Sequence, residues 1–304
     1  MAQQTRRPRK RKGKGLRQSW QAYLFLLPAL IGLTFITIIP LLGVLGISFT
    51  NWNGMVAPKY VGIANYIKIL TRDRYFKQSL IVTLYYALGA VVSGVVYSFV
   101  VAMLLNMRVP ARGLFRAFFY VPYIMPAIAV YIIWTWMFDP SFGVLNYFLR
   151  LLKLPTSLWV YHPQTAVLSL ILIAVWGAGN LIVIFLAGLQ NIPSVYHEAA
   201  KIDGANAARR FRHITIPMMT PIIFFNFLMS VITQLQVFVP AYSITQGRPS
   251  NSTLFLVYLV YREGFTNNNF GYASAMSFIF FLIVAVVTVL IFRFSKNMIF
   301  YEGK

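Results

Sequence analysis

Six long runs of this chain contain no Asp, Glu, Lys or Arg: Tyr23 to Phe49, Ser79 to Leu105, Ala117 to Phe138, Ala166 to Leu189, Met218 to Val239 and Ala273 to Phe292. Each is long enough to cross about 30 Å of hydrocarbon as a helix. The runs are continuously apolar rather than alternating apolar and polar, which argues against a transmembrane β-barrel. The pattern predicts an all-α, polytopic membrane protein with six transmembrane helices. Its membrane domain covers residues 23–297, behind a disordered basic tail at 1–22 and ahead of a short tail at 298–304. No internal repeat is visible.

Two connecting segments carry patterns of their own. In "FDPSFGVLNYFLRLLKL", Leu145, Leu149 and Leu152 share a helical face with Arg150 and Lys153 off it, which suits a short interfacial helix. From Thr245 to Gly271, turn residues alternate with an aromatic and β-branched run, as in a folded cap or a partner-contact surface.

A third connection, "EAAKIDGANAARRFRHITIP" from Glu198 to Pro217, places two of the chain's 6 acidic residues within one turn or two of each other. Pro193 and Ser194 read as a helix start, with Ser194 as N-cap and Glu198 near the positive helix end; Gly204 reads as the stop. Val195, Ala199 and Ile202 share one face while Glu198 and Lys201 project elsewhere, so this is a short amphipathic helix.

Composition sharpens the picture. The chain is 59% hydrophobic and 11% charged, beyond what a soluble domain carries. A net charge of +21 suggests nucleic acid in a soluble protein, but here topology accounts for it. The side holding both termini, with residues 1–22, 106–116, 190–217 and 293–304, has 18 Lys and Arg against 9 on the other side. The positive-inside rule then makes both termini cytoplasmic, with the tail as orientation signal and contact for anionic lipid. The first apolar run is too long for a signal-peptide core and reads as a retained span.

Absences narrow the chemistry. With 0 Cys there are no thiolate metal sites, disulfides or cysteine nucleophiles. No G-x-x-x-x-G-K-[ST] phosphate loop occurs, and no predicted span holds the charged residues from which proton relays are built. His162, His197 and His213 are scattered, so no metal site is expected. Membrane enzyme chemistry lacks its carboxylate cluster; a self-sufficient carrier or channel for a small polar solute stays open as the alternative.

The spacing E-A-A, three residues, Gly, nine residues, Ile, one residue, a hydrophobic residue and Pro is filled by Glu198-Ala199-Ala200, Gly204, Ile214, Ile216 and Pro217. It resembles the signature loop of bacterial ABC importer membrane subunits, with Ile216 where that family usually has Leu. The stretches "GLQNIPSVYHEAAKIDGA", "SFTNWNG", "YVGIANYIKIL", "RGLFRAFFYVPYIMP" and "NNNFGYASAMS" resemble the carbohydrate-importer branch, of the maltose and glycerol-phosphate permease first-subunit type. The large outer domain that the maltose protein inserts between its early spans is not present.

The resemblance implies the type I importer permease fold in a bacterial inner membrane, transport rather than catalysis, and a substrate that is a neutral sugar or oligosaccharide. It implies a second homologous permease, two copies of an ABC ATPase and an extracytoplasmic sugar-binding protein, with no nucleic acid. No cofactor is expected on this chain itself, since ATP and Mg belong to the ATPase. Loop 190–217 would be the coupling segment: Glu198, Ala199, Ala200, Asp203, Gly204 and Pro217 are implied as the ATPase-coupling residues.

Polar positions inside the spans suggest where substrate passes. In the fifth run Ser230, Gln234 and Val237 share a stripe flanked by Thr233 and Gln236, and in the fourth Ile173, Gly177 and Asn180 do the same. The resemblance carries the sugar path onto Gly177, Asn180, Ser230 and Gln234, with Trp176 a candidate for stacking on a ring. The same stripes also suit hydrogen bonds to a neighbouring helix.

Overall fold

The computed structural model describes residues 16–107 and 110–295. The expected tail thus falls outside them for residues 1–15, as does the short tail 298–304. The tail's remaining residues are helical, because the first helix already begins at Leu16.

In chain order the helices are α1 (Leu16–Gly32), α2 (Ile39–Ser48), α3 (Ala64–Thr71), α4 (Arg74–Asn106), α5 (Arg112–Ile124), α6 (Ala127–Met137) and α7 (Val144–Leu151). They continue with α8 (Pro163–Trp176), α9 (Gly179–Gln190), α10 (Ser194–Ile202), α11 (Ala207–Arg210), α12 (Ile216–Leu235), α13 (Leu256–Tyr261) and α14 (Phe270–Ser295). A π-helical turn, Leu33–Ile38, joins α1 to α2, and others precede α12 and follow α13. Among the described residues the only extended pairing is an isolated bridge between Thr50 and Tyr60.

Four continuous helices are long and apolar enough to span: Tyr23–Ser48, Arg74–Asn106, Ala207–Leu235 and Phe270–Ser295. The third and fourth expected spans are not continuous. Arg112–Ile124 and Ala127–Met137 meet at 98°, and Pro163–Trp176 and Gly179–Gln190 at 45°; counted as one broken span each, they bring the total to 6. The physical reason is local. Pro126 has no N–H to continue the α5 ladder and forces the preceding Met125 into extended backbone, at ψ 144. Gly177 and Ala178 make the corresponding turn between α8 and α9.

The long α4 is the axis of the bundle, and its buried side is lined by small residues: Ser79, Thr83, Ala87, Ala90, Gly94, Ser98 and Ala102. Such a stripe lets backbones approach, which is how helices pack where lipid supplies no hydrophobic contrast. Its hydroxyls also tie the rest of the fold to it. Thr83 Oγ1 accepts from the Leu256 amide at 2.9 Å, anchoring the start of α13. Ser98 donates to the Ala178 carbonyl at 3.4 Å, at the break between α8 and α9. Close approach recurs at Gly179, where a Cβ would lie 2.6 Å from the Phe119 carbonyl of α5.

Apolar packing forms three clusters along α4. One gathers Tyr86, Trp134, Phe138, Leu170 and Phe255; a second Ile69, Phe76, Leu256, Leu259 and Met276; the third Val101, Phe185, Leu186 and Met219. The segment from Thr245 to Gly271 is a folded cap, with Leu254, Phe255, Leu256 and Leu259 buried beneath it. The predicted interfacial helix is α7: Leu145 packs on the first cluster, and buried Asn146 donates to the Pro140 and Ser157 carbonyls at 3.1 and 2.9 Å.

Candidate transport cleft and coupling loop

Three helix interruptions meet around one cleft. Pro122, Met125 and Ala127 come from the α5–α6 break, Trp176 and Gly177 from the α8–α9 break, and Gln234, Gln236, Phe238 and Pro240 from the end of α12; together they line a cavity of about 420 Å³. Interrupted helices are the usual way to expose polar backbone inside a membrane, and they are tolerated only where they line a cavity or a protein contact. The spacing explains the chemistry. Pro126 stands four residues after Pro122, and Pro240 four after Gln236, so neither carbonyl can receive the usual i+4 N–H. The remaining wall combines Tyr86, Tyr123, Tyr131 and Thr233 with the aliphatic Val130, Ile173, Ala174, Val237 and Val239, and it contains no Asp, Glu, Lys or Arg.

Of the four path residues expected from sequence, the structure brings Gly177 and Gln234 into this cleft. Asn180 and Ser230 are not in its lining. Ser230 is 6% exposed and lies one turn beyond fully buried Asn226, whose amide donates to the Leu181 carbonyl of α9 at 3.4 Å. That stripe of α12 therefore packs against a neighbouring helix. The physical reason for the difference is the break at Gly177, which turns α9 by 45° away from the line of α8, so that an i+3 position past the break no longer continues the stripe. The tyrosines from α4, α5 and α6 carry no signature in the sequence that separates them from interface aromatics; the proline pair 122/126 and Pro240 are the signal that locates two of the three breaks. Trp176 does line the cleft and meets Trp134 edge-on at 5.6 Å.

At the far ends of α9 and α12 lies the E-A-A loop. Its helix is α10, with Pro193 and not Ser194 at the N-cap position, since Ser194 already occupies the first helical position. Glu198 accordingly sits beyond the first turn, outside the reach of the helix N-terminal charge. The C-terminal reading holds in detail. Gly204 adopts φ +76, its amide bonds the Lys201 carbonyl at 3.0 Å and the Ala205 amide bonds the Ala200 carbonyl at 2.8 Å, the two bonds of a Schellman motif. Asn206, missed from sequence, then caps α11 by accepting from the Arg209 amide at 2.8 Å.

Among the described residues nothing covers the apolar face of α10. Val195 is 60% and Ile202 87% exposed, and a Cβ added at Gly204 would meet no atom within 4 Å. Behind the helix, Ala200, Asp203, Ala205, Arg209, Arg210 and His213 line a hollow of about 350 Å³. Arg210 closes one side by donating to the Ala205 carbonyl at 2.8 Å, and His213 Nδ1 lies 3.0 Å from the Arg209 carbonyl. Pro217 is the second residue of α12, and its carbonyl, deprived of a partner by Pro221, accepts instead from the Thr220 hydroxyl at 2.7 Å. Among the described residues no group of three or more His, Cys, Asp and Glu is placed to hold a metal ion.

Residues 94–299 match the family described as "Binding-protein-dependent transport system inner membrane component". The chain belongs to this family. A member is a multi-pass membrane subunit of an ABC transporter and not an enzyme, with ATP hydrolysis on a separate subunit. It is 38% identical to the probable ABC transporter permease protein YesP of Bacillus subtilis, covering 97% of this chain and 96% of that one. It is 35% identical to the multiple sugar-binding transport system permease protein MsmF of Streptococcus mutans, over 82% of this chain and 86% of that one. The fold is that of a permease chain in the crystal structure of a bacterial ABC transporter involved in the import of the acidic polysaccharide alginate. There the TM-score is 0.82 at 19% identity, over 95% of this chain and 98% of that one.

Proposed function

We propose that this chain is one of two homologous permeases of an ATP-driven importer for a neutral sugar or oligosaccharide, fed by an extracytoplasmic sugar-binding protein and driven by two copies of an ABC ATPase. The observation that carries the reading is the cleft. Its hydroxyl, amide and backbone carbonyl groups can exchange hydrogen bonds with sugar hydroxyls, and its aromatic faces can cover the C–H faces of a ring. It holds no cation to compensate a desolvated phosphate or carboxylate. The name of the MsmF relative supports a sugar. The alginate importer's substrate is acidic, but at 19% identity the likeness does not extend to lining residues.

The exposed face of α10 is where the ATPase docks. Glu198, Ala199, Ala200, Asp203 and Gly204 supply that surface, and Pro217 lies in the first turn of α12, the helix that carries motion inward. α9 and α12, of 12 and 20 residues, are rigid levers of about 18 and 30 Å between this surface and the cleft. The chain binds no cofactor of its own; ATP and Mg sit on the ATPase. Both termini face the cytoplasm, where the N-terminal basic residues meet anionic lipid, and no nucleic acid is involved.

Reconstitution tests the substrate class. In proteoliposomes holding the complete transporter, radiolabelled maltotriose, raffinose and glycerol 3-phosphate should divide, with an uncharged sugar imported and the phosphate not; robust phosphate uptake refutes the neutral-sugar reading. Orientation is tested at Ala208, which is exposed and caps nothing. Ala208→Cys should resist an impermeant thiol reagent in intact cells and react in inverted vesicles.

A further inference from the structure

Phe238 belongs to the cleft wall, yet it is also the first of a continuous series of rings that leaves the cleft. It stacks on Tyr242 at 5.3 Å and meets Tyr261 edge-on at 5.3 Å. Tyr261 stacks on Phe265 at 5.4 Å, Phe265 meets Phe270 at 5.7 Å, and Phe270 meets Trp52 at 5.5 Å. The rungs come from the end of α12, the cap and the segment after α2, parts of the chain far apart in sequence.

We propose that these rings form a sugar track, along which substrate passes from the outer face of the cap to the cleft; this rests on the sugar reading above. α13 explains how the track is held. Leu256 and Leu259 fix this helix in the core, while Tyr261 at its end is half-buried and Phe265, in the π-helical turn that follows, is exposed. Rings that served only to fill the cap would be buried. Tyr242 is 45% and Phe265 69% exposed. Aromatics that anchored the bundle in the interface would spread around its circumference. These instead run ring to ring and end in the cavity.

Successive centroids lie close enough that a sugar ring leaving one rung already meets the next, so its C–H faces stay covered by the electron-rich ring faces. The phenols of Tyr242 and Tyr261 supply hydroxyls beside those faces. The charge interaction with neighbouring Tyr242 is the main cause that raises ionisation of Tyr261 above the ordinary phenol range. Trp52 marks the outer end, where Gly54 at φ +82 passes against Phe270 with no room for a side chain.

The test uses the complete transporter in proteoliposomes, with radiolabelled maltotriose and raffinose as probes. Uptake and ATP hydrolysis are measured for Tyr261→Leu and Phe265→Leu, and for Tyr261→Phe and Phe265→Tyr, which keep a ring. Each Leu variant should lower uptake roughly two- to tenfold, the worth of one ring contact, with the binding-protein-stimulated ATPase unchanged, and the ring-retaining variants should restore uptake. Equal loss of uptake and ATPase would show damage to the cap or to binding-protein docking, and unchanged uptake with lower thermal stability would show a lipid anchor. Either overturns the track while leaving the sugar reading intact. A wild-type complex that imports neither sugar overturns both.

Discussion

The cleft and the E-A-A loop are built by opposite means. The loop is a local object: a nine-residue helix, a glycine at φ +76 and an asparagine cap, all within one stretch of chain. The cleft is assembled from four transmembrane elements and exists because three of them are interrupted at the same place. A locally coded part can be exposed, since its geometry needs no neighbours; α10 is held by its own Schellman motif and presents Ile202 outward. A cleft cannot be coded that way. Its polar groups lie inside hydrocarbon, where each unpaired backbone group costs several kcal/mol unless other helices shelter it.

The comparison predicts the largest effect at the loop. Gly204→Leu places a branched side chain at φ +76, with strain of about 1–2 kcal/mol that by itself depletes the competent loop roughly tenfold. Because a Cβ there meets no atom of this chain, loss beyond that figure reports a clash with the docked partner. Uptake in proteoliposomes should fall at least tenfold while the spans stay folded by circular dichroism. Gly204→Asn, which tolerates the left-handed region, should recover most of it. Normal transport by Gly204→Leu would remove the coupling role.

An intermediate effect belongs to the cleft. Gln234→Leu removes one hydrogen-bonding side chain from the wall with little change in volume, and should lower sugar uptake roughly three- to tenfold with complex assembly and stimulated ATPase retained. Loss of ATPase in step with uptake would mean that Gln234 serves the lever and not the substrate.

The smallest effect separates lining from packing. Ser230→Ala removes a buried hydroxyl outside the cleft lining, so uptake should change less than about twofold, with a stability loss of about 1 kcal/mol seen as a lower melting temperature in detergent. A drop as large as that of Gln234→Leu would extend the substrate path along α12 and erase the distinction.

Hydropathy by itself determined that the chain crosses the membrane, and four of the six expected runs coincide with continuous helices within several residues. The E-A-A spacing likewise located the loop, its amphipathic helix and its glycine stop, because all of these depend on neighbours in sequence. The start of that helix was misread by one residue, since Pro193 and Ser194 both suit a helix beginning and only backbone geometry tells cap from first turn. Tertiary structure alone decided which of the expected path residues line the cleft. Periodicity assumes a straight, uniformly surrounded helix; the 45° turn at Gly177 takes Asn180 out of the line of α8, and the packing of α12 near Asn226 and Ser230 against a neighbouring helix leaves Ser230 buried while Gln234, one turn on, lines the cleft. Which tyrosines among 18 face the cleft, and that six rings from three segments meet in a continuous series, follows from where the tertiary structure places them. A one-dimensional pattern records polarity and spacing along a helix; a wall made by several helices depends on their angles, which are set by side chains far apart in the chain.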